Sequence, residues 1–269
     1  MSAGVVAKTV RGFTGALAQT LVQEEQAQRH GVLQSVDARV KLVGMLALVV
    51  TAALSHKLAV MGALFGLGVA LAAASQVSLW SLAKRVWLVA FGFTFMIAAP
   101  AIFLTPGVAV WRSGGLVVTA QGLRTAALLI ARVETAVTLS TLLVLTTPWM
   151  HLLKALRTLK IPVEVIALLA MTHRYVVLLM ETANAMFEAR QSRMVGRLSG
   201  GEQRRLMVNT GGVLMSKTLE MGNQVFLAMQ ARGFRGEVYL LTDFRLRGRD
   251  WVAMGGFATA VAMAAMAGR

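Results

Sequence analysis

The sequence has no cysteine, only four prolines and two tyrosines, and few acids: 12 Asp and Glu stand against 27 Lys and Arg. Without cysteine the chain forms no disulfide and no thiolate metal site, although this fits any compartment. Charged residues occupy 14% of the 269 positions, where a soluble domain carries about a quarter. Histidine is sparse too. The four, His30, His56, His151 and His173, are dispersed, with no H-E-x-x-H and no paired acids at metal-ligand spacing. Catalysis therefore finds no support, and metal ligands are not expected on this chain. The 16 Met read as filler between helices.

What the chain has in quantity is apolar sequence, 57% of its residues, in blocks. These are Val40–Leu54, Leu58–Ala74, Val86–Leu104, Ala126–Leu145 and Trp251–Ala267. A helix crosses a bilayer with roughly 17–25 mostly apolar residues, so each block suffices once its flanks are added. The first is bounded most tightly, by Lys41 and by Ser55-His56-Lys57. The expected fold class is an all-α integral membrane protein with about five transmembrane helices. The first 35 residues are not a signal peptide, because Lys8, Arg11, Glu24, Glu25 and Arg29 interrupt any apolar core. Phe13, Leu17 and Leu21 recur every four residues, as in a helix lying on the membrane surface.

The net charge of +15 would point a soluble protein toward nucleic acid. Here its placement matters more. Between Pro148 and Asp250 lie 15 Lys/Arg and 8 Asp/Glu, whereas Thr105–Thr125 holds only Arg112 and Arg124. By the positive-inside bias, the N-terminus, the turn at Lys84-Arg85 and the large basic segment face the cytoplasm. The basic residues then meet anionic lipid and a cytoplasmic partner, with no nucleic acid involved. Arg132 and Glu134 fall inside the fourth block, where ionisable groups are expensive. Structural pairing, or contact with a neighbouring membrane subunit, is the favoured reading over a proton relay.

About a hundred residues separate the fourth and fifth blocks, too many for a simple loop. Pro148 and Pro162 frame a short helix, Trp149–Arg157. Pro162 suits the first turn of a second helix, running to about Val195. Its proposed stripe is Val165, Leu168, Leu169, Thr172, Val176, Leu179, Ala183 and Phe187, and His173, Arg174 and Glu181 make it a poor span. A third helix is expected from about Gln203 to Ala231, with Leu214, Thr218, Met221, Val225 and Ala228 on one face. Rods of this length, apolar on one side and outside the bilayer, must cover each other or a partner. The domain reading is 1–36 interfacial segment, 37–147 transmembrane helices, 148–250 cytoplasmic coupling helices and 251–269 last transmembrane helix.

Each long helix ends on an Arg beside a small Ala: Ala189-Arg190-Gln191 before Gly196, and Ala231-Arg232-Gly233. A cation near a helix C-terminus gains about 0.3–1 kcal/mol from the helix dipole, which is one account. The other is that each Arg is a peg whose planar fork enters a partner's groove. Spacing alone leaves both open.

At these residues the sequence resembles the transmembrane T component of energy-coupling factor (ECF) transporters, in its cobalt/nickel-type branch. The likeness covers nearly the whole chain. It begins at GVLQSVDARVKL (Gly31–Leu42), where Ala38 replaces the family's usual proline. It continues through TTPWMHLLKALRTLKIP (Thr146–Pro162) and MTHRYV (Met171–Val176), and closes on the two Ala-Arg-x triplets, whose arginines lie 42 positions apart. The resemblance implies a non-catalytic, multi-pass subunit of a bacterial or archaeal cytoplasmic membrane. It would join two cytoplasmic ATPase subunits to a substrate-binding membrane subunit in an importer of cobalt or nickel. ATP would be held by the partner subunits, with no cofactor or metal on this chain. Ala189, Arg190, Gln191, Ala231, Arg232 and Gly233 would dock the ATPases. The alternatives are a T component for a vitamin, or a conventional ABC-type permease subunit. The permease loop E-A-A-x3-G is poorly matched, since Gly196 comes two positions late and no I-x-L-P follows.

LSGGEQRRL (Leu198–Leu206) resembles the nucleotide-sandwiching signature of ATPase subunits. That signature works opposite a phosphate loop, G-x-x-x-x-G-K-[ST]. None of the seven Lys follows a Gly, so no such loop exists here. The stretch reads as a Gly-rich turn, with Arg204 and Arg205 solvated or near lipid.

Overall fold

The structure, a computed structural model, describes residues 31–106, 108–113, 116–193, 199–234 and 248–268, together with Gly12 and Gly15. The surface helix expected around Phe13, Leu17 and Leu21 lies outside the described residues. All five apolar blocks are helical. They form α1 (Ala38–Leu54), α2 (Leu58–Ala74), α3 (Leu79–Leu82) continued through a π-helical turn, Ala83–Trp87, into α4 (Leu88–Leu104), α5 (Ala120–Thr146), and α9 (Gly248–Gly268). Between α5 and α9 come α6 (Trp149–Leu156), a 3-10 turn at Arg157–Leu159, α7 (Val163–Ser192) and α8 (Gly200–Ala231). The chain is an all-α membrane protein. Three described helices are long and apolar enough to cross a membrane: α5, the stretch Val163–Arg190 of α7, and α9. Leu58–Ala74 and Leu88–Ile102 are shorter apolar helices. His173, Arg174 and Glu181 therefore do not disqualify α7 on length and composition.

Two local expectations need correction. Lys84 and Arg85 are not in a turn but inside the π-helical segment. The reversal comes earlier, after Ser75, where Gln76 takes φ +55° and Val77 bonds back to the Ala72 carbonyl. The second departure is a short antiparallel hairpin, β1 (Ala109–Ser113) and β2 (Leu116–Thr119), within the stretch read as a plain loop. Its sequence signal is Gly114-Gly115 between β-branched and aromatic residues, a pattern typical of two-residue hairpins.

Contacts divide the chain into two compact units; of the described residues, one contains those of 31–156 and 248–268, the other those of 157–234 with Gly12 and Gly15. In the first, α1 and α2 pack against α5, and α9 packs mainly against α1. Leu42, Met45, Ala72, Leu142 and Ala155 form one buried cluster, and Leu48, Met61, Leu64, Leu139 and Ala264 another. The Trp87 ring lies 5.3 Å from that of Phe65, and its Nε1–H donates to Thr138 Oγ1 at 2.9 Å. Gly44 lets α9 approach α1 closely: a Cβ there would lie 2.5 Å from the Phe257 ring.

The segment before α1 is stitched to the end of α2. Gln34 Nε2 donates to the Ser75 carbonyl at 3.0 Å, and the Leu33 N–H to Ser75 Oγ at 3.4 Å. Asp37 caps α1 by accepting the Arg39 N–H at 2.8 Å. Ala38 thus occupies the first helical position, where proline is favoured, and the cap is kept without it.

In the second unit, α7 packs against α8. On α8 the half-covered residues include Leu214, Thr218, Met221, Val225 and Met229, with Thr210 buried. This is the expected stripe except at Ala228, which is exposed. On α7 the stripe expected at Val165, Leu168, Leu169, Thr172 and Val176 is exposed, with Leu168 at 65%. The covered line is Ile166, Ala170, His173, Val177, Met180, Ala183 and Phe187. The first half of α7 is apolar almost all round, so periodicity could not choose its face.

Candidate functional site

The two triplets occupy different positions on their helices. Ala189 and Arg190 lie in the last turn of α7, which runs on to Ser192. The Ser192 hydroxyl donates to the Ala189 carbonyl at 3.0 Å, and the Arg193 N–H to the Arg190 carbonyl at 3.2 Å. The helix thus closes before Gly196, which lies outside the described residues. Gln191 is helical. Ala189 is exposed and Arg190 half-buried.

The second triplet straddles the helix end. Ala231 is the last residue of α8, and Arg232 is its C-cap, at φ −87° and ψ 8°. Gly233 follows at φ +75°, the left-handed region that glycine enters without a Cβ penalty. Its N–H bonds to the Gln230 carbonyl at 2.9 Å, and the Phe234 N–H to the Met229 carbonyl at 3.0 Å. This is a Schellman closure, which satisfies carbonyls that the helix leaves open. Ala231, Arg232, Gly233 and Phe234 are all exposed. Neither the Arg190 nor the Arg232 guanidinium has a hydrogen bond or ion pair among the described residues.

The glycines of LSGGEQRRL do not make a turn. Gly200 and Gly201 are the first residues of α8, and Ser199 is its N-cap. The Ser199 N–H donates to Glu202 Oε2 at 2.8 Å, and the Glu202 N–H donates to Ser199 Oγ at 3.3 Å. The reason was in the letters: S-x-x-E is the reciprocal capping box. Hydrogen bonds from the Ser199 backbone and hydroxyl hold the Glu202 carboxyl below its usual range. Arg204 and Arg205 are exposed.

Inside α5, Arg132 is tied to the end of α1. Its Nη2 donates to the Ser55 carbonyl at 2.9 Å, at the C-terminal end of α1, where a cation suits the open carbonyls. Glu134 is buried, and neither carboxylate oxygen has a hydrogen-bond partner among the described residues. The expected pairing of Glu134 within the bundle is therefore not seen. No cluster of three or more potential metal ligands occurs among the described residues.

Residues 30–240 match the model of the cobalt transport protein family, CbiQ. An uncharacterized protein of Methanocaldococcus jannaschii is 29% identical over 236 residues, 86% of this chain and 81% of that protein. The energy-coupling factor transporter transmembrane protein EcfT of Limosilactobacillus fermentum is 30% identical over 224 residues, 76% of this chain and 80% of its own. The cobalt transport protein CbiQ of Rhodobacter capsulatus is 31% identical over 150 residues, 53% of this chain and 60% of its own. The match takes in both triplets and everything between them. The chain belongs to the CbiQ/EcfT family of transmembrane components of energy-coupling factor transporters.

Proposed function

We propose that this chain is the energy-coupling subunit of an ATP-driven importer of cobalt or nickel ions. It spans the cytoplasmic membrane about five times. Two cytoplasmic ATPase subunits bind at Ala189-Arg190-Gln191 and Ala231-Arg232-Gly233, and a separate membrane subunit carries the metal ligands and captures the ion. The coupling subunit holds no nucleotide and no cofactor. Closure of the ATPases on ATP displaces α7 and α8, and the displacement tilts the substrate-binding subunit.

One observation carries this reading. Two long helices of one compact unit each present an Ala-Arg pair at the C-terminal end, with both guanidiniums unpaired among the described residues. A dipole effect asks for a cation there but not for an adjacent alanine on both helices. A groove that must approach the backbone closely asks for both. Cobalt is favoured as cargo by the family description and by the Rhodobacter relative.

The test is reversal of both charges, Arg190→Glu with Arg232→Glu. Reversal at a charge-complementary contact costs about 2 kcal/mol or more, at least roughly thirtyfold in affinity. ATPase subunits should be lost from the purified complex, and uptake of radiolabelled cobalt should stop, while the variant still inserts in the membrane. An intact complex with normal uptake refutes the docking assignment.

A further inference from the structure

Two buried charged residues of the first unit play no part in docking. Lys41 is 2% exposed and Asp250 4%. Both sit in a membrane-protein interior, where burial of a charge is unfavourable unless it is hydrogen-bonded. Apolar side chains of similar volume often serve stability as well or better. The position of these charges is therefore what needs explaining.

Lys41 Nζ donates to the Thr146 carbonyl at 2.8 Å. Thr146 is the last residue of α5, and Thr147 follows in an extended conformation at φ −132° and ψ 118°, ahead of Pro148. The last carbonyls of α5 consequently lack helical partners, and a buried ammonium fits there. Asp250 lies in the first turn of α9, where its Oδ1 accepts the Asp37 N–H at 2.7 Å. Asp37 and Lys41 are one turn apart at the start of α1, joined by the Lys41 N–H to Asp37 carbonyl bond of 3.1 Å.

Thr146 and Asp250 are not arbitrary points on the chain. Past Thr146 the chain runs through α6 into the unit that holds α7 and α8. At α9 it has returned to the first unit. The end of α5 and the start of α9, which flank the excursion into the second unit with α6 on the outgoing side, are both fastened to one turn of α1, across sequence separations of 105 and 213 residues.

We propose that Lys41 and Asp250 are positioning residues, a buried clasp that fixes the end of α5 and the start of α9, on either side of the excursion into the coupling-helix unit, to the start of α1. Displacement of that unit is then delivered to the membrane helices instead of being absorbed as slack at those two ends. The transport consequence rests on the function proposed above, whereas the clasp itself does not.

The experiment uses the full chain in nanodiscs, alone and in its complex. Lys41→Met removes the ammonium at similar length. Asp250→Ala removes the acceptor, and Asp250→Asn keeps an oxygen for the Asp37 N–H. Hydrogen exchange should quicken at least tenfold over Trp149–Leu152 in Lys41→Met and over the first turn of α9 in Asp250→Ala. The interior of α5 should stay protected. In the complex, substrate taken up per ATP hydrolysed should fall at least fivefold with the ATPases still bound, and Asp250→Asn should recover most of it. Unchanged exchange over these stretches overturns the clasp, as does loss of protection spread evenly over the first unit. Loosened stretches with a normal uptake-to-hydrolysis ratio overturn the positioning role. If the unmodified chain captures no ATPase, the coupling reading falls instead, and exchange on the chain alone still upholds or overturns the clasp.

Discussion

At Gly233 the backbone decides what the neighbouring arginine can do. Its φ of +75° ends α8 and fixes the direction in which the chain leaves Arg232. A Cβ in the left-handed region costs about 1–2 kcal/mol, least for asparagine. Gly233→Ala should therefore fray the last turn of α8, read as faster exchange at Met229–Phe234, and should weaken ATPase capture. Gly233→Asn should do less of both. Equal capture by the alanine variant and the parent would show that the closure does not orient Arg232. The two arginines were visible in the sequence because type, neighbour and placement near a helix end are local features. The partners of Lys41, Arg132 and Asp250 were not visible. Each pairs across 77 or more positions, and no periodicity reports a bond to a distant backbone group. Even the tight limit that Lys41 sets on the first apolar block had its explanation elsewhere, in the carbonyl end of α5.

Among the elements, helix existence was legible and helix faces were less so. The five apolar blocks became helices with ends within a few residues of those read from composition, except that α5 begins at Ala120. The face of α8 was readable because apolar and polar residues alternate along it. The face of α7 was not, because its first turns offer apolar residues in every direction. Gly200-Gly201 was the opposite failure, where composition outweighed a cap written beside it. With both glycines in the first turn of α8 and nothing within 4 Å of either Cβ position, Gly200→Ala and Gly201→Ala should stabilise the helix start by up to about 1 kcal/mol each. Protection over 200–206 should rise, and ATP hydrolysis by the complex should be unaffected, whereas a nucleotide signature would lose hydrolysis. The same cap makes a pH prediction. The Glu202 carboxyl titrates below its usual 4.5 when folded, so its contribution is fully present above that value. It is lost as pH falls through the lower folded value. Exchange at the start of α8 should speed up on acidification below 4.5, and Ser199→Ala, which removes the hydroxyl half of the cap, should weaken that dependence.

For the whole molecule, the function proposed above raises the question of whether α7 and α8 would transmit motion by shifting against each other or as one body. Both are long, about 45 Å at 1.5 Å per residue, and both bury a line of side chains. Ligand-driven transmission needs an element with two arrangements that both ends can bias. If the helices slide, a covalent bond between their buried lines freezes one arrangement. Ala183 and Thr210, each 1% exposed, are buried on α7 and α8 respectively. Both tolerate cysteine on size, and the native chain has no thiol to confuse the readout. A screen of pairs around these positions should find one that oxidises fully. Oxidation should then abolish uptake, leave the ATPases bound and hydrolysis within about twofold, and be reversed by reduction. Full uptake in the oxidised complex would mean that α7 and α8 travel together. Transmission would then pass undiminished toward the ends of α5 and α9 held at Thr146 and Asp250, and Lys41→Met in the crosslinked protein should lower uptake per ATP as it does without the crosslink.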